Sequence, residues 1–100
     1  MVRHVILWTL KPDFSDEQKK QIKMGIKNGL EGLKGKIDGL KEINVYTDGL
    51  PSSTAEVMLD SLFDNEDALK GYSVNPEHVF VANTYVRPYT AVRTCLDFEI

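Results

Sequence analysis

Val2-Arg-His-Val-Ile-Leu-Trp-Thr-Leu10, followed by Lys11-Pro12, is the stretch that decides the fold. Bulky and β-branched residues crowd it, and proline, which has no N–H to give a sheet, stops it. In a strand, His4, Ile6 and Trp8 lie on one face and Val5, Leu7 and Thr9 on the other. Both faces carry apolar groups, as expected of a strand in the middle of a sheet.

Moving outward, Ser15 and Gln18 form a capping box, and Ile22, Ile26, Leu30 and Leu33 recur at helical spacing. The pattern predicts a helix over 16–33. Its lysines (Lys19, Lys20, Lys23 and Lys27) read as a solvated face. Gly25, Gly29 and Gly32 are unusual there, since each interior glycine costs about 0.5–1 kcal/mol relative to alanine. Gly25 and Gly29 lie on the buried side, where close helix-to-sheet approach accounts for them, with room for a ligand as the alternative. Lys41 to Thr47 alternates as a second strand and ends in the turn-rich loop Asp48 to Ser53. A third strand follows from Ala55 to Phe63, with Val57, Leu59 and Phe63 sharing a face. Asp64 or Asn65 caps a second helix carrying Ala68, Leu69 and Tyr72. Asn75-Pro76 opens a third, short helix to about Tyr85, and Arg87-Pro88 stops it. In the last strand, Tyr89 to Glu99, Arg93, Cys95 and Asp97 oppose Val92, Thr94, Leu96 and Phe98.

The order β-α-β-β-α-(α)-β, with right-handed crossovers, predicts an α+β, ferredoxin-like fold: an antiparallel sheet with both helices on one face. Strands one and three stand together in the middle, and the crossover rule reads them as parallel neighbours. The second face is left bare. Val5, Leu7, Ile43 or its neighbour, Met58, Leu62, Val92, Leu96 and Phe98 would form an apolar patch larger than monomers usually expose. A second copy, packed sheet to sheet, is the economical cover and would bury on the order of 1,600 Å². The expected partner is therefore the chain itself, as a homodimer.

A chain of 100 residues is one domain, 1–100, with one core. No apolar run approaches the ~18 residues of a membrane span. The N-terminus lacks the pattern of an export signal, so a cytoplasmic location is the default expectation. A formal net charge of −3 argues against nucleic acid as a partner. Cys95 is the single cysteine, which rules out an internal disulfide and a cysteine cluster around a metal. There is no His-x-x-x-His or His-plus-carboxylate pattern at ligand spacing, no phosphate loop and no nucleophile elbow. Neither metal nor cofactor is expected.

The chemistry-bearing stretch is Gly71-Tyr-Ser-Val-Asn-Pro-Glu-His-Val-Phe80. Asn75 caps a helix, Pro76 suits its first position, and His78 falls in the first turn. The positive end of that helix disfavours imidazolium, so His78 leans to the neutral form. Tyr72 and His78 then make an acid/base pair. The competing reading packs Tyr72 in the core and leaves His78 capping a surface turn.

Arg3-His-Val-Ile-Leu-Trp8, Tyr72 with Asn75-Pro-Glu-His78, and Arg93-Thr-Cys-Leu-Asp-Phe-Glu99 together resemble the stress-responsive dimeric α/β barrel (Dabb) family. The resemblance covers essentially the whole chain and implies a homodimer whose sheets form a shared barrel. One branch, that of olivetolic acid cyclase, closes a ring on a linear polyketide without a cofactor. Its catalytic Tyr and His match Tyr72 and His78. Its pocket implies a wall of His4, Ile6, Trp8, Ile22, Ile26, Leu59, Phe80 and Cys95 and a small aromatic or polyketide-like ligand. The first helix departs from that branch in carrying Ile22, Lys23 and Ile26 where it has large aromatics. Arg93 points to the same side and could hold a carboxylate, although pairing with Asp97 or another acid is favoured. For His4 a backbone or tyrosine partner is favoured over catalysis. Two alternatives stand beside the cyclase-like reading. One is a cofactor-free monooxygenase using Trp8 and His78. The other is a non-catalytic stress or assembly protein, with the pocket filled by Trp8, Phe80 and Leu59 and with His78 facing solvent.

Overall fold

The computed structural model describes residues 1–100. The chain runs β1 (Val2–Leu10), α1 (Asp16–Glu31), β2 (Leu40–Tyr46), β3 (Val57–Phe63), α2 (Glu66–Val74), α3 (Pro76–Val81), a π-helical turn (Ala82–Val86) and β4 (Thr90–Glu99). The strands form one sheet in the order β2-β3-β1-β4, antiparallel at every pairing. β1 is central, and the ferredoxin-like reading holds. The parallel pairing expected of β1 and β3 does not: they are adjacent but antiparallel, with Ile6 opposite Leu59. The crossover through α1 makes β1 and β2 run the same way, and β3, returning from β2, slots between them in the opposite direction. No helix is long and apolar enough to cross a membrane.

The alternation in β1 is strict where it matters. Val2, His4, Ile6, Trp8 and Leu10 are all buried beneath the helices. Val57, Leu59, Ser61 and Phe63 of β3 lie beside them, and Ile26, Leu30, Leu69 and Tyr72 close the core from above. Fully burying each large apolar side chain contributes roughly 1.5–3 kcal/mol. Ser61 is tolerated in this layer because its hydroxyl donates to the His4 carbonyl at 2.9 Å.

The predicted capping box is present: Ser15 Oγ accepts from the Gln18 N–H at 3.2 Å, and Gln18 Oε1 from the Ser15 N–H at 2.9 Å. The helix ends at Glu31, two residues short of expectation, and Gly35, at φ +83°, turns the chain where an L-residue would be strained. Gly25 and Gly29 face another helical segment, not the sheet. A Cβ on Gly29 would lie 3.0 Å from Val81 and 3.1 Å from Tyr85, so its absence lets α1 approach the α3–π segment. Nor are the lysines all free. Lys19 pairs with Glu56 at 3.5 Å. Lys27 Nζ donates to Glu31 at 2.9 Å and to the Val45 carbonyl at 2.7 Å, while the Val45 N–H donates to Glu31 at 2.9 Å. This clip satisfies the outer backbone groups of Val45 on edge strand β2, which would otherwise be open to another strand.

The second sheet face is bare, as expected, though its membership differs. Leu7, Val92, Leu96 and Phe98 are exposed, Leu96 by 64%. Ile43, however, is buried beneath the helices, and Tyr46 occupies the bare face opposite Met58. A register irregularity between Leu40 and Glu42 shifts the alternation. Leu62 keeps its expected place on this face, opposite Arg3, but is itself buried. Arg3 and Asp60 form an ion pair of 2.7 Å on this face.

Candidate functional site

Asn65 caps α2 by accepting from the Ala68 N–H at 2.9 Å, and α2 carries Tyr72 into the core. Asn75 then serves both helices: its N–H donates to the Tyr72 carbonyl at 3.2 Å, and its Oδ1 accepts from the Glu77 N–H at 2.9 Å. This corner folds α3 back so that the rings of Tyr72 and His78 stack, with centroids 4.0 Å apart and planes tilted by 33°. Phe63 meets Tyr72 edge-on at 5.0 Å, and His4 at 6.1 Å.

Neither polar end of the stacked pair has a partner. Tyr72 Oη and His78 Nδ1 are both buried with no hydrogen bond. Burial pushes the Tyr72 phenol well above its ordinary range, against a smaller opposing effect of Arg93. Burial also lowers His78, against the nearby Ser73 main-chain carbonyl, which completes no hydrogen bond to Nδ1 but raises it; Arg87, His4 and Arg93 lower it further. His78 is thus biased to the neutral form, as anticipated, but burial rather than the helix end is the main cause. The phenol is held neutral and able to donate, and the imidazole beside it is biased to the form able to accept. His78 is half-buried rather than turned to solvent.

These side chains border a cavity of about 100 Å³. Its floor is His4, Ile6, Trp8 and Leu59 of the sheet, and Leu30 of α1 closes one side. Arg87, Thr90 and Arg93 form its mouth. Larger clefts, of about 350 and 490 Å³, are open surface grooves without such a pair.

Of the anticipated wall, His4, Ile6, Trp8, Leu59 and Arg93 are in place. Three are not. Ile26 is wholly buried in the core. Ile22 borders a shallow groove with Phe14 and Tyr89. Phe80 is 63% exposed, because two residues beyond His78 is roughly the far side of a helix. Leu30, Ser73, Ala82, Val86, Arg87 and Thr90 complete the cavity and were missed. The spacing of His78, Ala82 and Val86, four residues apart, was the available signal. The π-helical turn, closed by the Arg87 N–H donating to the Ala82 carbonyl at 2.9 Å, brings Arg87 to the mouth.

Two expected pairings are corrected. His4 Nδ1 bonds the Asp97 carboxylate rather than a backbone group or tyrosine, because β1 and β4 place the two residues opposite each other. Arg93 consequently has no Asp97 to pair with and forms no ion pair. Cys95 Sγ stands 3.5 Å from the same carboxylate.

An antiparallel sheet with a helix-lined cavity on one face and an open apolar surface on the other defines a ferredoxin-like α+β protein. The family model described as Stress Responsive A/B Barrel Domain, Dabb, matches residues 2–100, and the chain belongs to that family. The chain is similar to a dimeric protein of unknown function and ferredoxin-like fold from Bacteroides fragilis NCTC 9343. That likeness has 32% identity and TM-score 0.92, over 99% of this chain and 95% of that one. A hydroxynitrile lyase from Passiflora edulis is similar at 21% identity and TM-score 0.73, over 99% and 92% of the two chains. An antibiotic biosynthesis monooxygenase is similar at 9% identity and TM-score 0.75, over 100% and 98%. The last two likenesses show the fold alone. No curated protein matches the sequence.

Proposed function

We propose that this chain forms a homodimer through its bare sheet face and binds a small carbonyl compound in the Tyr72–His78 cavity, moving a proton on it. One observation carries the reading: Tyr72 Oη and His78 Nδ1 are buried and unpartnered in one stacked pair at the cavity. Each such atom costs about 1–3 kcal/mol, and a ligand that hydrogen-bonds both removes that cost. Neutral His78 takes a proton from the carbon beside the carbonyl. Tyr72 donates to the oxygen on which negative charge develops. Arg93, free of acid partners at the mouth, supplies charge for a ligand carboxylate.

The cavity narrows the ligand class. About 100 Å³ is well below the roughly 300–1,000 Å³ of sites for drug-sized molecules, which favours a compact oxo acid or small aromatic acid over a linear polyketide. The monooxygenase and lyase names of fold neighbours do not decide the chemistry, since one fold hosts many activities. The homodimer is supported by the open apolar face and by the dimeric Bacteroides fragilis relative.

The test is an NMR titration with pyruvate and benzoate, following the rings of Tyr72 and His78. Saturable shifts at both rings, with the Tyr72 shift lost in His78→Ala while the fold is retained, are the expected result. Rings insensitive to both acids would return the protein to the non-catalytic assembly reading.

A further inference from the structure

We propose that His4, Cys95 and Asp97 form a site for a divalent transition-metal ion of the zinc type. The antiparallel β1–β4 pairing sets His4 opposite Asp97 and Ile6 opposite Cys95. Alternate residues of a strand share a face, so imidazole, thiol and carboxylate rise from the same side of the sheet. Their ligand atoms all lie within 4.8 Å of one another.

The spacing suits coordination. Cys95 Sγ is 3.7 Å from His4 Nδ1 and 3.5 Å from Asp97 Oδ1. A tetrahedral zinc ion, with sulfur at about 2.3 Å and nitrogen or oxygen at about 2.0 Å, sets such edges at about 3.5 Å. The third edge is a direct His4–Asp97 hydrogen bond. The Asp97 side chain is 43% exposed on an edge strand and can swing to admit the ion.

The same geometry argues against a nucleophilic triad. In a relay, acid and nucleophile address opposite nitrogens of the imidazole. Here thiol and carboxylate both converge on Nδ1, as ligands around a common centre do. Thiolate, imidazole and carboxylate together select a zinc-like ion over magnesium or calcium, and thiolate plus carboxylate balance its charge. Asp97 borders the open cleft of about 350 Å³ beside α2, so a fourth position is reachable by water or a small ligand. Sheet-to-sheet dimerisation covers the opposite face and leaves this one accessible.

The test is titration of the reduced wild-type protein with Co²⁺, followed by displacement with Zn²⁺. The expected result is one ion per chain, a thiolate-to-cobalt charge-transfer band and the intense visible bands of a four-coordinate ion. Cys95→Ala and Asp97→Asn alter exposed residues. Cys95→Ala should leave thermal unfolding of the metal-free protein unchanged, and Asp97→Asn, whose amide oxygen can still accept from buried His4, should lower it only slightly; both should weaken Zn²⁺ binding by more than the ~10–100-fold typical of outer-shell partners. Cobalt binding without a charge-transfer band, or Zn²⁺ affinity unaltered in both variants, overturns the proposal.

Discussion

The two faces of the sheet are incomplete in opposite ways. The helix-covered face has sealed its apolar groups but leaves two buried polar atoms, Tyr72 Oη and His78 Nδ1, without partners. On the bare face Arg3 and Asp60 pair with each other, while Leu7, Tyr46, Val92, Leu96 and Phe98 stay open to water. An unsatisfied polar pair calls for a small hydrogen-bonding ligand, whereas an unsatisfied apolar sheet calls for another large apolar surface. β1 serves both, with His4, Ile6 and Trp8 on one side and Leu7 on the other.

The bare face offers the largest effect. Leu7→Asp places a charge where sheet-to-sheet packing would bury it unpaired, at a cost of several kcal/mol. The dimer should weaken by roughly 100-fold or more in sedimentation velocity, with the monomer still folded by circular dichroism. An unchanged sedimentation coefficient would show that the apolar face is not the interface, and the contrast between the faces would fail. The same substitution should leave the Tyr72 and His78 ring signals in place.

On the covered face, two glycines allow a sharper comparison. Gly29→Ala drives a Cβ to 3.0 Å from Val81 and 3.1 Å from Tyr85, and overpacking of this kind costs about 1–3 kcal/mol. At Gly25 the nearest atom would be Tyr85 at 3.4 Å, ordinary contact, so Gly25→Ala should keep most of the 0.5–1 kcal/mol helix gain. Urea denaturation of both variants checks the pair. Equal effects would mean that Tyr85 yields freely and that the close approach of α1 is not what Gly29 provides.

β1, the capping box of α1, the Asn75 corner and the bare face were legible because each rests on local spacing or alternation. What lay beyond the sequence depended on registers and helix phase. Nothing near His4 or Asp97 in sequence announces their contact, which arises from a strand pairing between residues 93 apart. The irregularity after Leu40 swapped Ile43 for Tyr46 on the bare face. The π-helical turn rotated Arg87 to the cavity mouth. The wall residue Phe80 was misplaced because family likeness supplied it, while helical phase from His78 already set it on the other side.

The pH dependence of stability tests whether the covered face truly buries its histidine. The folded protein holds His78 below its ordinary range, chiefly by burial. Between the folded pKa and the ordinary value near 6.5, the unfolded chain binds more protons, so stability rises with pH there. The contribution is fully present above about pH 6.5 and is lost as pH falls toward the folded value. His78→Phe should flatten this slope, read as urea midpoints from pH 5 to 8. An unchanged slope would assign the pH dependence elsewhere and remove the case for a desolvated imidazole.

The smallest expected effect on stability is also the most discriminating. Tyr72→Phe deletes a buried hydroxyl that has no partner, so the fold loses no hydrogen bond and sheds a desolvated polar group. Stability should stay within about 0.5 kcal/mol or rise by up to about 1 kcal/mol. Loss of more than about 1 kcal/mol would reveal a structural partner for the hydroxyl and undo the reading of an unsatisfied pair. With stability held, the saturable shift of the His78 ring on adding pyruvate should shrink or vanish in the same variant. The hydroxyl would then have been retained for a ligand, because it does nothing for the fold that carries it.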